Sequence, residues 1–256
     1  MATRAAHGAE RLTWLGHATV LLEVGGVRLL TDPVLRERIA HLRRQVPVPD
    51  LDPEVPPDAV LISHGHRDHL DVPTLRRLRA APLALVPRGL GSIVSAATRG
   101  DVMELRAGDA LQVGGAHVTA VPAVHDGRRS PRGKAADTLG FVVRGRRTVY
   151  FAGDTEPFAA MADLAPLDIA LLPIWGWGPT LGDGHMDPTE AASTLPALRP
   201  RIAVPIHWGT LYPVGMSRYR PGPLEDPPHA FVRAAATTAP EVEIRVLAPG
   251  EGFPLP

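Results

Sequence analysis

Apolar residues along this chain fall mostly in short, nearly continuous runs, not at the every-third-or-fourth spacing of amphipathic helices. Val20–Val24, Val27–Leu30, Ala59–Ser63, Leu83–Pro87, Leu139–Val143, Thr148–Ala152, Asp168–Pro173 and Ile202–Ile206 are of this kind. Runs of that length bounded by turn residues fit strands covered on both faces. Gly25-Gly26 and Gly145 sit between paired runs and predict hairpins. Further strands are predicted near 102–105, 110–113, 117–122 and 242–247. Helices are predicted from Pro73 to residue 81, over 89–98, behind Asp187-Pro188 with Asp187 as N-cap, and over 226–238 behind a second Asp-Pro. The charged, proline-rich stretch 36–57 reads as a loop. Strands thus alternate with helices, hairpins occur in each half, and no low-complexity linker interrupts them. The expected fold is α/β, with two mixed β-sheets packed face to face and helices outside. Residues 11–256 form its single domain, behind a disordered tail over residues 1–10.

Composition narrows the function. The 256 residues suffice to bury roughly 70–75% of the unfolded chain's surface. Lys+Arg and Asp+Glu both number 27, unlike a protein that coats nucleic acid. With no cysteine, a disulfide framework, a thiol nucleophile and a thiolate metal site are excluded. Any metal must be held by nitrogen and oxygen, which puts weight on the 11 histidines. No apolar run approaches the ~20 residues of a membrane helix, and the first ten residues lack the apolar core of a signal peptide. The expectation is a cytoplasmic protein without a transmembrane segment.

The densest chemistry lies in Ser63-His64-Gly65-His66-Arg67-Asp68-His69-Leu70-Asp71, between a buried strand and a helix. In extended backbone His64 and His66 point to one side, and Asp68 and His69 follow where the chain turns. A chain of this composition would show H-x-H-x-D-H by chance on the order of one time in a thousand. His125, Asp154 and His207 each follow a strand-like run as well. Singly, each also reads as an ordinary loop residue, and Asp154 as turn chemistry. Together they place ligand-type side chains at three further strand ends.

This set, with Asp32 in LLTDP, resembles the five motifs of the metallo-β-lactamase-fold hydrolases, in that family's order, over roughly residues 12–247. The resemblance implies a four-layer αβ/βα sandwich with a dinuclear metal site at the edge between the sheets. His64, His66 and His125 would hold one divalent ion; Asp68, His69 and His207 the second; Asp154 would bridge them. Asp32 would orient ligands by hydrogen bonds; taken alone it reads as a turn aspartate before Pro33. The nitrogen and oxygen donors suit two Zn²⁺, with Mn²⁺ or Fe²⁺ as alternatives. A metal-bridging hydroxide would then be the nucleophile, with Asp68 holding its proton.

Trp14-Leu15-Gly16-His17-Ala18-Thr19, Gly184-His185-Met186-Asp187-Pro188 and Ile206-His207-Trp208-Gly209-Thr210 resemble the group containing N-acylphosphatidylethanolamine phospholipase D. The G-H-A and G-H-M elements also resemble the neighbouring ascorbate-6-phosphate lactonases, while H-W-G-T ranks the phospholipase D-like group first. The implied activity is hydrolysis of a phosphodiester, with a phosphorylated sugar lactone as the alternative substrate. A metal-binding or sensor protein without turnover is the alternative from another class. In this resemblance His17 and His185 face the substrate, as general acid or phosphate ligands; each also reads as a structural histidine. Trp175 and Trp177, in a glycine-rich loop, and Arg128 and Arg129, just after His125, are candidate contacts for a small or lipid-derived anionic substrate. The chain has no nucleic-acid signature, and a homo-oligomer is compatible with it.

Overall fold

The computed structural model describes residues 9–49, 51–52, 54–78, 80–129 and 136–256. In chain order the first half contains β1 (Arg11–Gly16), β2 (Thr19–Val24), β3 (Val27–Thr31), β4 (Arg38–Ile39), β5 (Leu42–Arg44), β6 (Ala59–Leu61), α1 (Val72–Arg77), β7 (Leu83–Pro87), α2 (Gly91–Ser95) and β8 (Val102–Leu105). The second half contains β9 (Ala110–Val113), β10 (Ala116–Pro122), β11 (Leu139–Arg144), β12 (Thr148–Phe151), β13 (Leu167–Pro173), α3 (Pro188–Ser193), α4 (Leu195–Leu198), β14 (Pro200–Ile206), β15 (Leu211–Pro213), α5 (Gly222–Thr238), β16 (Glu243–Ile244) and β17 (Gly252–Pro254).

Among the described residues these make two seven-stranded sheets, ordered β17-β1-β2-β3-β6-β7-β8 and β16-β14-β13-β12-β11-β10-β9. In each sheet an antiparallel block adjoins a parallel one: β3, β6, β7 and β8 run parallel, as do β12, β13, β14 and β16. Alternation along the strands divides the core into three layers. Val20, Leu22, Leu29 and Leu61 of the first sheet meet Phe141, Val143, Phe151, Leu171 and Val204 of the second. Their neighbours Leu21, Leu30 and Val60 turn outward with Leu75 and Val94 of α1 and α2. Val142, Tyr150, Ala170 and Ala203 pack outward with Ala191, Leu195 and Phe231 of α3, α4 and α5. Both faces of the central strands are buried, so their sequences show no alternation. The result is the four-layer αβ/βα sandwich.

Local chemistry sets the helix starts. Asp71 caps α1 by accepting from Thr74 N and Oγ1, and its carboxylate also takes the Arg36 guanidinium. Asp187 and Glu190 cap α3 reciprocally, a capping box.

Several sequence expectations are corrected. The stretch 36–57 is not simply a loop: β4 and β5 join β15 in a third, three-stranded sheet. Helix α5 begins at Gly222, with Pro227 and Pro228 inside it, so Asp226-Pro227 does not start it. The first two helices are shorter than the predicted spans 73–81 and 89–98. The terminal strand is confined to Glu243–Ile244, and β17, which pairs with β1, was not anticipated. Of the predicted tail, residues 1–8 lie outside the described residues. Glu10 is buried, and its Oε1 accepts from Gly25 N and Arg146 N. No helix among the described residues is long and apolar enough to cross a membrane.

Candidate metal centre

The site stands at the carboxyl ends of the strands, on the edge where the two sheets meet. β1 delivers His17, β3 Asp32, β6 the loop 63–71, β10 His125, β12 Asp154 and β14 His207. His17, Asp32 and His207 have positive φ (53°, 31° and 63°), a conformation that non-glycine residues keep only where surrounding bonds enforce it. At His17 those bonds are visible. Its carbonyl accepts from Trp14 Nε1 and from His207 N, both at 2.9 Å, and its amide donates to Thr210 Oγ1 at 2.7 Å. The W-L-G-H and H-W-G-T segments therefore interlock, and Trp14 stacks on Trp208. Gly153 (φ +63°) lets the turn before Asp154 pass Ser63: a Cβ there would lie 2.6 Å from Ser63 Cβ.

Among the described residues, two four-residue groups of donor atoms form, each within 4.8 Å: His64, His66, His125 and Asp154; and His17, Asp68, His69 and His207; a third group, Asp32, His64 and His69, shares a histidine with each. Asp154 links the first two, its Oδ2 lying 3.0 Å from His69 Nε2 and 3.8 Å from His64 Nε2, its Oδ1 3.2 Å from His207 Nε2. Beneath them lies a relay. Asp32 Oδ2 meets His69 Nδ1 at 2.7 Å and accepts from Ser63 Oγ at 2.5 Å; Ser63 Oγ lies 2.9 Å from His64 Nδ1. One buried carboxylate thus orients a histidine in each group. Ser63 was not predicted as a site residue; its only signal is its place beside His64 at the end of β6.

The partners also fix the tautomers. Asp32, the Gly184 carbonyl and the Trp175 carbonyl can only accept. His69, His125 and His207, which face them through Nδ1 at 2.7–2.9 Å, therefore carry the proton there. Their Nε2 lone pairs turn inward, and those of His69 and His207 face one another at 2.9 Å. His64 Nε2 and Asp154 Oδ1 are buried without a hydrogen-bond partner among the described residues. Such a set of inward lone pairs and anionic oxygens calls for positive charge, and divalent cations fit it. Where no cation is held, protons answer the same demand for positive charge. Burial lowers His69, but Asp154, Asp68 and Asp32 outweigh it and raise it well above the ordinary imidazole value. Burial alone would raise Asp154 and Asp68, yet the surrounding histidines hold both well below the usual carboxylate range. Burial lowers His64 well below its ordinary value, His125 to about 4 and His17 to about 3.

A cleft of about 480 Å³ opens onto the site. His66, Asp68 and His185 line the cleft together with the apolar Ile39, Leu42 and Trp177, and with Arg67 and Arg129. His185 is half-buried, its Nε2 3.3 Å from Asp154 Oδ2. Burial lowers its pKa, but the hydrogen bond and charge of Asp154 push it up to about 9. The other expected contacts sit differently. His17 is buried against Asp68 and does not line the cleft. Trp175 turns its Nε1 to the Gly178 carbonyl. Arg128 is exposed beside Asp126, away from the cleft. Arg129 NH1 donates to the carbonyls of Gly65 and Leu70, bracing the histidine loop. Arg67, the one cleft residue of the loop without an assigned role in the sequence reading, is exposed and makes no hydrogen bond or ion pair among the described residues.

Comparison with known proteins agrees with this architecture. The family described as "Beta-lactamase superfamily domain" matches residues 27–208, and the chain belongs to this metallo-β-lactamase superfamily. It is 35% identical to a UPF0173 metal-dependent hydrolase of Methanopyrus kandleri, covering 95% of this chain and 99% of that one. It is 32% identical to N-acyl-phosphatidylethanolamine-hydrolyzing phospholipase D 1 of Caenorhabditis elegans, covering 81% of this chain and 65% of the relative. Igni18, a metallo hydrolase of Ignicoccus hospitalis, shares the fold with a TM-score of 0.69 at 23% identity, over 96% and 98% of the two chains. Fold, donor set and relatives define a metal-dependent hydrolase.

Proposed function

We propose that this chain hydrolyses phosphodiesters carrying a compact apolar group, at a dinuclear centre. His64, His66 and His125 would hold one cation, Asp68, His69 and His207 the other, and Asp154 both; the nitrogen and oxygen donors suit Zn²⁺, with Mn²⁺ or Fe²⁺ compatible. When bound, the cations would acidify a water molecule, so that it gives up a proton near neutral pH, and would stabilise negative charge at the reacting centre.

The observation that carries the phosphodiester reading is Arg67. It sets an uncommitted guanidinium in the cleft beside the donor groups, where it can meet a phosphoryl oxygen. The nematode relative, whose name assigns it a phospholipase D activity, supports the same class. The apolar lining supplied by Ile39, Leu42 and Trp177 accommodates an apolar substituent, within a volume that holds a small substrate.

The chain's own groups supply proton transfer. Asp68 lines the cleft and receives the proton of the attacking water as its oxygen bonds to phosphorus. The bond from phosphorus to the leaving oxygen breaks, and that oxygen takes a proton from His185. Both nitrogens of His185 face acceptors, Nδ1 the carbonyls of Gly182 and Asp183 and Nε2 the Asp154 carboxylate, so the ring has a proton to give. The test is turnover of bis-p-nitrophenyl phosphate beside a panel of lactones, with Zn²⁺-reconstituted and chelated protein. Chelator-reversible phosphodiester cleavage exceeding lactone opening is expected. Lactone opening alone contradicts the phosphodiester reading, and no metal-dependent turnover favours a binding role.

A further inference from the structure

We propose that His17 is a positioning residue that acts through Asp68: its Nε2–H holds one oxygen of that carboxylate, and His17 is not itself a metal ligand. The proposal rests on the two-cation reading of the site.

Distance alone leaves two roles open. His17 Nε2 lies 3.0 Å from Asp68 Oδ2, and its donor atom shares the 4.8 Å cluster of Asp68, His69 and His207. The second ring nitrogen decides between them. A ligating imidazole hands its other N–H to an acceptor; His66, half-buried on the cleft with Nδ1 turned to His125, can leave that N–H to solvent, and the four other histidines assigned as ligands meet the condition within the protein. Nδ1 of His64 faces Ser63 Oγ, that of His69 faces Asp32, that of His125 the Gly184 carbonyl and that of His207 the Trp175 carbonyl, at 2.7–2.9 Å. Nδ1 of His17 is buried and meets no partner among the described residues. Were Nε2 a ligand, the proton would sit on Nδ1, leaving a buried donor unsatisfied. With the proton on Nε2, the donor meets an anionic oxygen, a charge-assisted bond.

The geometry shows what that bond controls. Asp68 Oδ2, the oxygen His17 holds, also stands 3.6 Å from His69 Nε2 and 3.8 Å from His207 Nε2. Releasing it would let the carboxylate rotate away from the second donor group and into the cleft. His17 cannot yield in turn. Trp14, His207 and Thr210 pin its backbone in the left-handed region, and its ring lies 3.9 Å from that of His207.

The experiment is a Zn²⁺ titration of the full chain against a chromophoric chelator, resolving the two binding steps, for wild type, H17A, H17Q, D68N and H17A/D68N, each checked for folding by circular dichroism. H17A should weaken one step by about 10–100-fold and leave the other within about threefold. H17Q, which keeps an N–H donor, should recover most of that loss. In the D68N background H17A should add nothing, because its effect runs through the carboxylate. With Co²⁺ in the weakened site, the absorption bands of H17Q should match wild type, since no ligand has changed. Additive effects of H17A and D68N, an unaltered H17A titration, or altered Co²⁺ bands in H17Q would overturn the proposal. If H17A does not fold, H17Q and D68N still decide it. Wild type binding fewer than two equivalents overturns the two-cation reading and this inference with it. Two equivalents insensitive to His17 overturn only the inference.

Discussion

Replacing Ser63 with alanine would break the relay under the site at one identified bond. Ser63 Oγ accepts from His64 Nδ1–H at 2.9 Å and donates its own hydrogen to Asp32 Oδ2 at 2.5 Å. His64 is fully buried, so in Ser63→Ala its Nδ1–H has no acceptor, a loss of about 1–3 kcal/mol. The ring is then free to leave the orientation that aims Nε2 at the first donor group. Loss of such a bond typically lowers metal affinity roughly 10–100-fold, or about 1.4–2.8 kcal/mol. His69 keeps its own bond to Asp32 at 2.7 Å, so the second group should be spared. The two effects separate in a competitive Zn²⁺ titration: one step should weaken by that factor while the other stays put. Equal weakening of both steps would show that Asp32, not Ser63, carries the orientation of His64. No change in either would refute the relay.

Other consequences follow from the same geometry. His185→Ala should lower kcat by roughly 10²–10⁴-fold while two equivalents of metal remain by elemental analysis; unchanged turnover would remove His185 from the chemistry. Arg67→Ala should raise KM for an anionic phosphodiester by roughly fivefold, the scale of one exposed ion pair, without altering hydrolysis of an uncharged ester; equal effects on both substrates would refute charge recognition. The chelated protein should lose stability as the pH rises from about 7 to 10. His69 and His185 have folded pKa values above the unfolded one, the latter at about 9, so the folded chain holds more protons in that window and gives them up as pH rises. Thermal melting of the chelated protein at pH 7 and pH 10 checks this, and a Tm that rises with pH would reverse the sign.

How far this could be foreseen depends on what each contact rests on. The central strands of both sheets are legible because each is a short, mostly apolar run ended by turn residues, as in Ala59–Ser63 and Ile202–Ile206; β1 and β17, at one end of the first sheet, carry no such run. The convergence of His64, His66, Asp68, His69, His125, Asp154 and His207 followed from ligand-type residues recurring at strand ends. Strands β4 and β5 were not legible: they are two or three residues long and rich in arginine, and β5, on which β4 pairs, is held by β15, about 170 residues away in sequence. The start of α5 was misplaced because Asp226-Pro227 imitates a cap. The position of Arg128 and Arg129 just after His125 suggests substrate contact, but hydrogen bonding to Gly65 and Leu70 commits Arg129 to the loop. The burial of His17 depends on Trp14, His207 and Thr210 acting together, which no local pattern reveals.

The central claim is that these donors enclose a pair of cations. Anomalous diffraction at the zinc edge from crystals of the Zn²⁺-reconstituted chain tests it most directly. The account predicts two peaks, one among His64, His66 and His125 and the other among Asp68, His69 and His207, with Asp154 between them. A single peak, or a pair bound elsewhere, would contradict it.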